Sequence, residues 1–491
     1  MKRNNTVFFI SIAVLIVIVI WGAVFADSFQ NAVDSSYAFI TKWFSKYYLV
    51  TMSAFVIFCF FLLFSKYRNV RFGDDDDKPE YSFISWFAML FSAGMGIGLV
   101  FWGVAEPINH YIAPGGGVDP SSADSIRFAF EKTYLHWGLH PWAGYVVIGG
   151  ALAYVQFRKK LPGLISSLLI PLIGEDLAKG PLGKAIDIIA IFATVAGITT
   201  SLGLGAYQIN SGLNFLFGIP ENNLVVFIIV LVTTGLFVLS AVSGLDRGIK
   251  ILSNTNVLLA LVIMVLTFIV GPSLLIIKNL GTGTLDYFIN LIPDMVTLQK
   301  SDGSEWVNGW TVFYWAWWIA WAPFVGSFIA RISKGRTIKE FVMGVLFAPL
   351  LASLVWFAIF GTVGIDLGPD IATEAAANTS TAVFVTMSNY KLGSLISGVI
   401  IILLCTFFVT SADSGTFVLG ILSSNGNLNP TTLRKVIWGC IITSVTLVLM
   451  FASESGLQNV QTASIVAALP FSIVMILSVV AWIKSLIKDE K

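Results

Sequence analysis

The sequence predicts an all-α polytopic membrane protein with twelve transmembrane helices. Apolar runs of spanning length recur from one end of the 491-residue chain to the other. Composition agrees: 56% of residues are hydrophobic and 12% charged, with a mean hydropathy of +0.84. A spanning helix needs about 20 mostly apolar residues, since lipid tolerates only a backbone that satisfies its own hydrogen bonds. A net charge of +1 offers nothing to attract nucleic acid. Cys59, Cys405 and Cys440 all lie in apolar runs, without metal or disulfide spacing.

The spans are expected near 7–26, 48–65, 82–105, 127–156, 184–217, 223–243, 250–278, 309–331, 340–363, 392–421, 432–453 and 461–487. The first lacks a small-residue cleavage site and reads as a retained helix. Orientation follows from lysine and arginine. With the N-terminus inside, cytoplasmic segments hold 22 of the 29, and only Lys42, Lys46, Arg127, Lys132, Lys278, Lys300 and Lys391 lie outside. Both termini are therefore expected in the cytoplasm. The run Asp74 to Lys78 reads as a short acidic cytoplasmic turn, 279–308 as an outer segment with an interfacial helix, and 368–389 as an outer loop. Spans 3–7 and 8–12 make two five-span groups that begin on opposite sides of the membrane, as an inverted repeat requires. The units are then 1–81 (two N-terminal helices and the acidic loop), 82–278, 279–308, 309–487 and a short tail, 488–491.

Three stretches carry chemistry. In span 3, Gly94, Gly96 and Gly98 alternate. They weaken the helix by about 1 kcal/mol each relative to alanine, which suits either close helix packing or a discontinuous helix whose freed backbone groups hold an ion or substrate. Glu106-Pro107 closes this span, and Glu106 reads as an end-of-span polar residue. In span 4, Trp137, Trp142 and Tyr145 share a half-face at mid-depth, with Pro141 expected to kink the helix beside them. His136 and His140 stand four apart, and packed or hydrogen-bonded roles are favoured over a metal because no third ligand is evident. Six of the fifteen tryptophans lie between Trp306 and Trp321, five of them in span 8. Trp317, Trp318 and Trp321 fall within about 100° of arc. Tryptophans usually form interface belts; a cluster running into the span suits an aromatic cage for a quaternary ammonium.

These motifs together resemble the betaine/carnitine/choline transporter family. The matching residues are Gly94-Met-Gly-Ile-Gly98, His136-Trp-x-x-His-Pro-Trp-x-x-Tyr145, Trp315-Ala-Trp-Trp-Ile-x-Trp-x-Pro-Phe-Val-Gly326, Arg331 to Arg336, and Phe407 to Ser414. The resemblance covers nearly the whole chain. It implies a LeuT-like inverted repeat of five plus five helices preceded by two extra helices, a homotrimer, and a bacterial inner-membrane location. Carried over by position, Trp137, Trp142, Tyr145 and Trp318 would form the cage, with Trp317 and Trp321 along the pathway. Sodium would be held by backbone carbonyls near Ser92, Met95 and Phe407 and by the hydroxyls of Thr410 and Ser411. Thr194 would belong to a second sodium site, where Ile198 stands in place of a further hydroxyl. Back-bonding within the helix is the rival fate of Thr410 and Ser411.

Between Lys184 and Arg247 there is no lysine or arginine to replace an ion, which favours sodium coupling. Gly98 stands where choline-type members carry aspartate, and Trp321 where carnitine-type members tend to carry tyrosine. The expectation is sodium-coupled uptake of glycine betaine for osmoprotection, with no cofactor beyond Na⁺. The alternatives are proton-coupled choline transport, sodium-independent carnitine transport, or another zwitterion such as ectoine, proline or dimethylsulfoniopropionate. A channel would want a polar pore ring and an enzyme a partnered catalytic cluster; neither is evident in the sequence.

Overall fold

The computed structural model describes residues 5–94, 96–243, 246–300 and 304–489. Among them the regular elements are helical, apart from one isolated bridge between Arg71 and Thr337. Helix α1 (Thr6–Val24) is followed after a single residue by α2 (Ala26–Phe64). The second helix therefore starts well before the expected 48. Residues 26–47 are polar enough to leave the lipid, but they contain no glycine or proline to stop the helix. At 39 residues, α2 is about 58 Å long, beyond the hydrocarbon core of about 30 Å.

Among the described residues, ten helices are long and apolar enough to cross a membrane. The two other expected spans are each divided. Span 3 consists of α3 (Phe83–Gly94) and α4 (Ile97–Ile112). Gly96 is extended between them, at φ −161° and ψ −177°. Span 4 consists of α5 (Ala123–Trp137) and α6 (Leu139–Ala153), running into one π-helical turn. Here the break differs from the expected proline kink. It lies at Gly138, where a Cβ would come 2.4 Å from the Tyr134 carbonyl and 2.6 Å from the Tyr287 hydroxyl. Pro141 falls in the first turn of α6, where a missing N–H costs nothing. Trp137 thus belongs to a different helix from Trp142 and Tyr145.

The chain continues through α7 (Pro181–Phe217), α8 (Asn223–Ser243) and α9 (Asp246–Val270). Gly271-Pro272 ends α9 early, and α10 (Ser273–Lys300) begins before the expected interfacial segment. Tyr287 of α10 accepts the Leu139 N–H at 2.9 Å, satisfying one of the orphan donors at the start of α6. Arg127 pairs with Asp286 at 2.6 Å and Lys132 with Asp294 at 2.5 Å, tying α5 to α10. Then come α11 (Phe313–Arg331), α12 (Ile338–Asp366), α13 (Gly393–Leu422), α14 (Thr432–Phe451) and α15 (Gly456–Asp489). The expected outer loop at 368–389 contains two short helices, Pro369–Ala376 and Ala382–Ser388.

Packing is interleaved between the two groups. Helix α4 lies on α12, α6 on α11, α7 on α13 and α15, and α9 on α13. Both described ends meet one face: Asp489 contacts Lys159 and Tyr154, and Asn5 contacts Arg434. On that face the acidic turn is pinned, Asp74 to Lys160 at 2.9 Å and Asp75 to Arg158. The Lys160 ammonium holds the Asp74 carboxyl below the usual carboxylate range.

Candidate binding cavity

A cavity of about 780 Å³ runs among α4, α6, α11 and α13 and reaches the face that carries Gln156, Gly163 and Lys334. All seven expected substrate residues line it: Gly98, Trp137, Trp142, Tyr145, Trp317, Trp318 and Trp321. The breaks put them there. Gly138 turns the chain so that Trp137, at the end of α5, and Trp142 and Tyr145, on α6, meet the tryptophans of α11.

The rings form a box rather than a belt. Trp317 and Trp318 stack at 4.9 Å and 19°, and Trp137 stands edge-on to Trp318 at 4.9 Å and 75°. Tyr145 lies 6.5 Å from Trp318, and Trp142 lies 5.2 Å from Tyr145. Two indole N–H groups are tied away from the cavity. Trp318 donates to the His136 carbonyl at 2.9 Å, at the broken end of α5, and Trp137 donates to Glu106 at 2.7 Å. Trp317 and Trp321 have buried N–H groups without a partner among the described residues. Gly98 makes the box possible: a Cβ there would lie 2.4 Å from the Trp317 ring and 3.2 Å from that of Trp137. Beside it, the first turn of α4 leaves N–H donors without intrahelical partners, and Gly96, Ile97 and Gly98 line the cavity.

Of the expected sodium ligands, Phe407, Thr410 and Ser411 of α13 share this cavity. Met95 and the side chain of Ser92 lie outside the described residues. The Thr410 hydroxyl donates within its helix, with the Thr406 and Phe407 carbonyls at 3.0 and 3.3 Å, and accepts from Asn256 at 3.1 Å. Back-bonding therefore does occur at Thr410, while the cavity wall still holds its oxygen. Asn256, Ser201 and Ser253 also line the cavity; isolated polar residues in apolar runs gave no sequence signal for this. Thr194 is not among the lining residues, and its hydroxyl donates to the Ala190 carbonyl at 2.8 Å. Ile198 packs where any Cβ on Gly415 would come within 2.4 Å.

The histidines separate. His140 stacks on Trp315 at 4.7 Å and 17°, whereas His136 lies 2.7 Å from Glu106 and 2.9 Å from Thr311. Glu106 is not an end-of-span polar residue: it is fully buried, with His110 as a further neighbour at 3.3 Å. Ligand atoms of Glu106, His110 and His136 lie within 4.8 Å of one another. The Glu106–His136 separation, however, is that of a hydrogen bond.

The model of the betaine/carnitine/choline family of transporters matches residues 6–491. The chain belongs to this family. The glycine betaine transporter OpuD of Bacillus subtilis is 48% identical over 494 positions, covering all of this chain and 96% of its own. A probable glycine betaine transporter of Desulfitobacterium hafniense is 42% identical, covering all of this chain and 99% of its own. An ectoine/hydroxyectoine transporter of Virgibacillus pantothenticus is 41% identical, covering 99% of this chain and 97% of its own. This member of the betaine/carnitine/choline family is a transporter embedded in a membrane, not an enzyme, and its aromatic box and α13 hydroxyls open on one cavity.

Proposed function

We propose that this transporter takes up glycine betaine together with Na⁺, across a bacterial inner membrane and in the service of osmoprotection. The observation that carries the reading is the box itself. A trimethylammonium group has no N–H to donate, so hydrogen bonding cannot select it, whereas aromatic faces attract it by about 0.5–2 kcal/mol per ring. With their N–H groups engaged elsewhere, Trp137 and Trp318 offer the cavity aromatic surface and no hydrogen-bond donor. The carboxylate end of the zwitterion is served by the N-terminal turn of α4, whose Gly96, Ile97 and Gly98 line the cavity. Neutral oxygens at Phe407, Thr410 and Ser411 suit a hard monovalent cation.

The division into 1–81, 82–278, 279–308, 309–487 and 488–491, with a LeuT-like inverted repeat and twelve spans, is supported by the packing. Exchanging spans 3–7 with 8–12 turns the α4–α12 contact into α11–α6, and the α7–α15 contact into α13–α9. Cytoplasmic termini are supported by both described ends meeting the face rich in Arg158, Lys159, Lys160 and Lys334. A homotrimer is carried over from the family resemblance. Ectoine is the second reading, favoured by the similarity to the ectoine/hydroxyectoine transporter of Virgibacillus pantothenticus.

The test is uptake of labelled glycine betaine into proteoliposomes with an inward Na⁺ gradient, and with K⁺ in its place. Uptake that needs Na⁺ is the expected result. Uptake indifferent to Na⁺ removes the ion assignment and leaves the box. Ectoine uptake without betaine uptake replaces the substrate.

A further inference from the structure

Behind the wall of rings lies a carboxylate that transport chemistry has not yet used. Glu106 sits on α4 with no exposed surface. Its Oε2 accepts the Trp137 indole N–H at 2.7 Å and the Tyr314 hydroxyl at 2.6 Å. Its Oε1 lies 2.7 Å from His136 Nδ1 and 3.3 Å from His110 Nε2. An indole nitrogen only donates, so Trp137 fixes Oε2 as an acceptor. His136 Nε2 faces the Thr311 hydroxyl at 2.9 Å; accepting there leaves the proton on Nδ1, directed at Oε1. The partners converging on Glu106 therefore suit a carboxylate, which is acceptor-only.

A tie between α4, α5 and α11 would need no more than this. What goes further is the identity of one donor: Trp137 lines the cavity and stands 4.9 Å from Trp318. A negative acceptor on the indole N–H pushes electron density into the ring, and attraction of a cation to a ring face is electrostatic. In a buried site of low dielectric such charge is weakly screened.

We propose that Glu106 is a specificity-determining positioning residue: its carboxylate, bonded to the edge of Trp137, makes the box prefer a quaternary ammonium to a neutral group of the same shape. This rests on the reading of the box as the substrate site.

The experiment compares two competitors for labelled glycine betaine on the purified full-length transporter. One is unlabelled glycine betaine. The other is the anion of tert-butylacetic acid, in which carbon replaces the charged nitrogen. Glu106→Gln is expected to weaken glycine betaine by about tenfold to thirtyfold, the upper figure being the size of one desolvated cation–π contact, and to leave the isostere nearly unchanged, so that the preference collapses. Equal weakening of both competitors, or of neither, overturns the proposal. Should Glu106→Gln not yield folded protein, Glu106→Asp decides: it keeps the charge but falls a methylene short of Trp137, so the preference must drop, and an unchanged preference overturns the proposal. Trp318→Leu runs beside them. Glycine betaine binding that survives Trp318→Leu removes the box itself, whereas its loss with an unaltered preference in the Glu106 variants removes only the role of Glu106.

Discussion

Replacing Gly98 with alanine should weaken substrate binding while leaving the protein folded. The new Cβ would lie 2.4 Å from the far edge of the Trp317 ring, and carbon contacts settle near about 3.5–4.0 Å. The indole must therefore retreat by more than about 1 Å. Its room is limited, because it is buried between Phe313, stacked at 5.6 Å, and Trp318, stacked at 4.9 Å. Overpacking of this kind costs about 1–3 kcal/mol. Expressed in the binding step, that is roughly a 5- to 150-fold loss of affinity. Glycine betaine uptake kinetics in proteoliposomes would show it as a raised KM, with thermal unfolding in detergent as the control for stability. Gly98→Asp adds a carboxylate to the same clash, and only this variant is expected to accept choline. A normal KM in Gly98→Ala would refute the steric argument. Choline uptake by Gly98→Ala equal to that of Gly98→Asp would refute the charge argument.

Trp318→Phe keeps a ring face but drops the bond to the His136 carbonyl; a KM about fivefold higher is expected, the effect of about 1 kcal/mol, against complete loss of uptake in Trp318→Leu. Tyr287→Phe strands the Leu139 N–H and should lower unfolding stability by about 1–3 kcal/mol, seen as a lower melting temperature in detergent. Ser411→Ala should raise the Na⁺ concentration needed for half-maximal uptake, whereas Thr194→Ala should not, since Ser411 lines the cavity and Thr194 does not; the reverse order would exchange the two sites. Burial pushes the Asp294 carboxyl up to about 6, only partly opposed by the Lys132 ammonium. With a folded value above the unfolded one of about 3.9, its contribution to stability is complete below about pH 4 and is lost as pH rises through about 6. Asp294→Asn should flatten the melting-temperature profile across that window, and an unaltered slope would refute the assignment.

Much of the site was legible because its signals are local. Gly94, Gly96 and Gly98 announce a weak helix whatever surrounds them, and the structure breaks between Gly94 and Ile97. Tryptophans placed inside an apolar run lie too deep for a belt, and Trp317, Trp318 and Trp321 of α11 do line a cavity. The break in span 4 was placed three residues late, because Pro141 is visible in the sequence and Tyr287 is not visible as its neighbour. Glu106 was misread for the same reason. Its position beside Pro107 suggests the edge of a span, and only the approach of α5 and α11 surrounds it with donors.

The sequence by itself determined the membrane class, the positions of most spans, the family and the ring residues of the box. These follow from hydropathy and residue type, which the chain carries at each position. Tertiary structure alone decided which N–H groups the rings turn away from the cavity, that Thr194 lies apart from its lining, and that a buried carboxylate stands behind Trp137. Those facts depend on contacts between helices distant in sequence, such as Glu106 with Tyr314, and no local pattern encodes a contact of that kind.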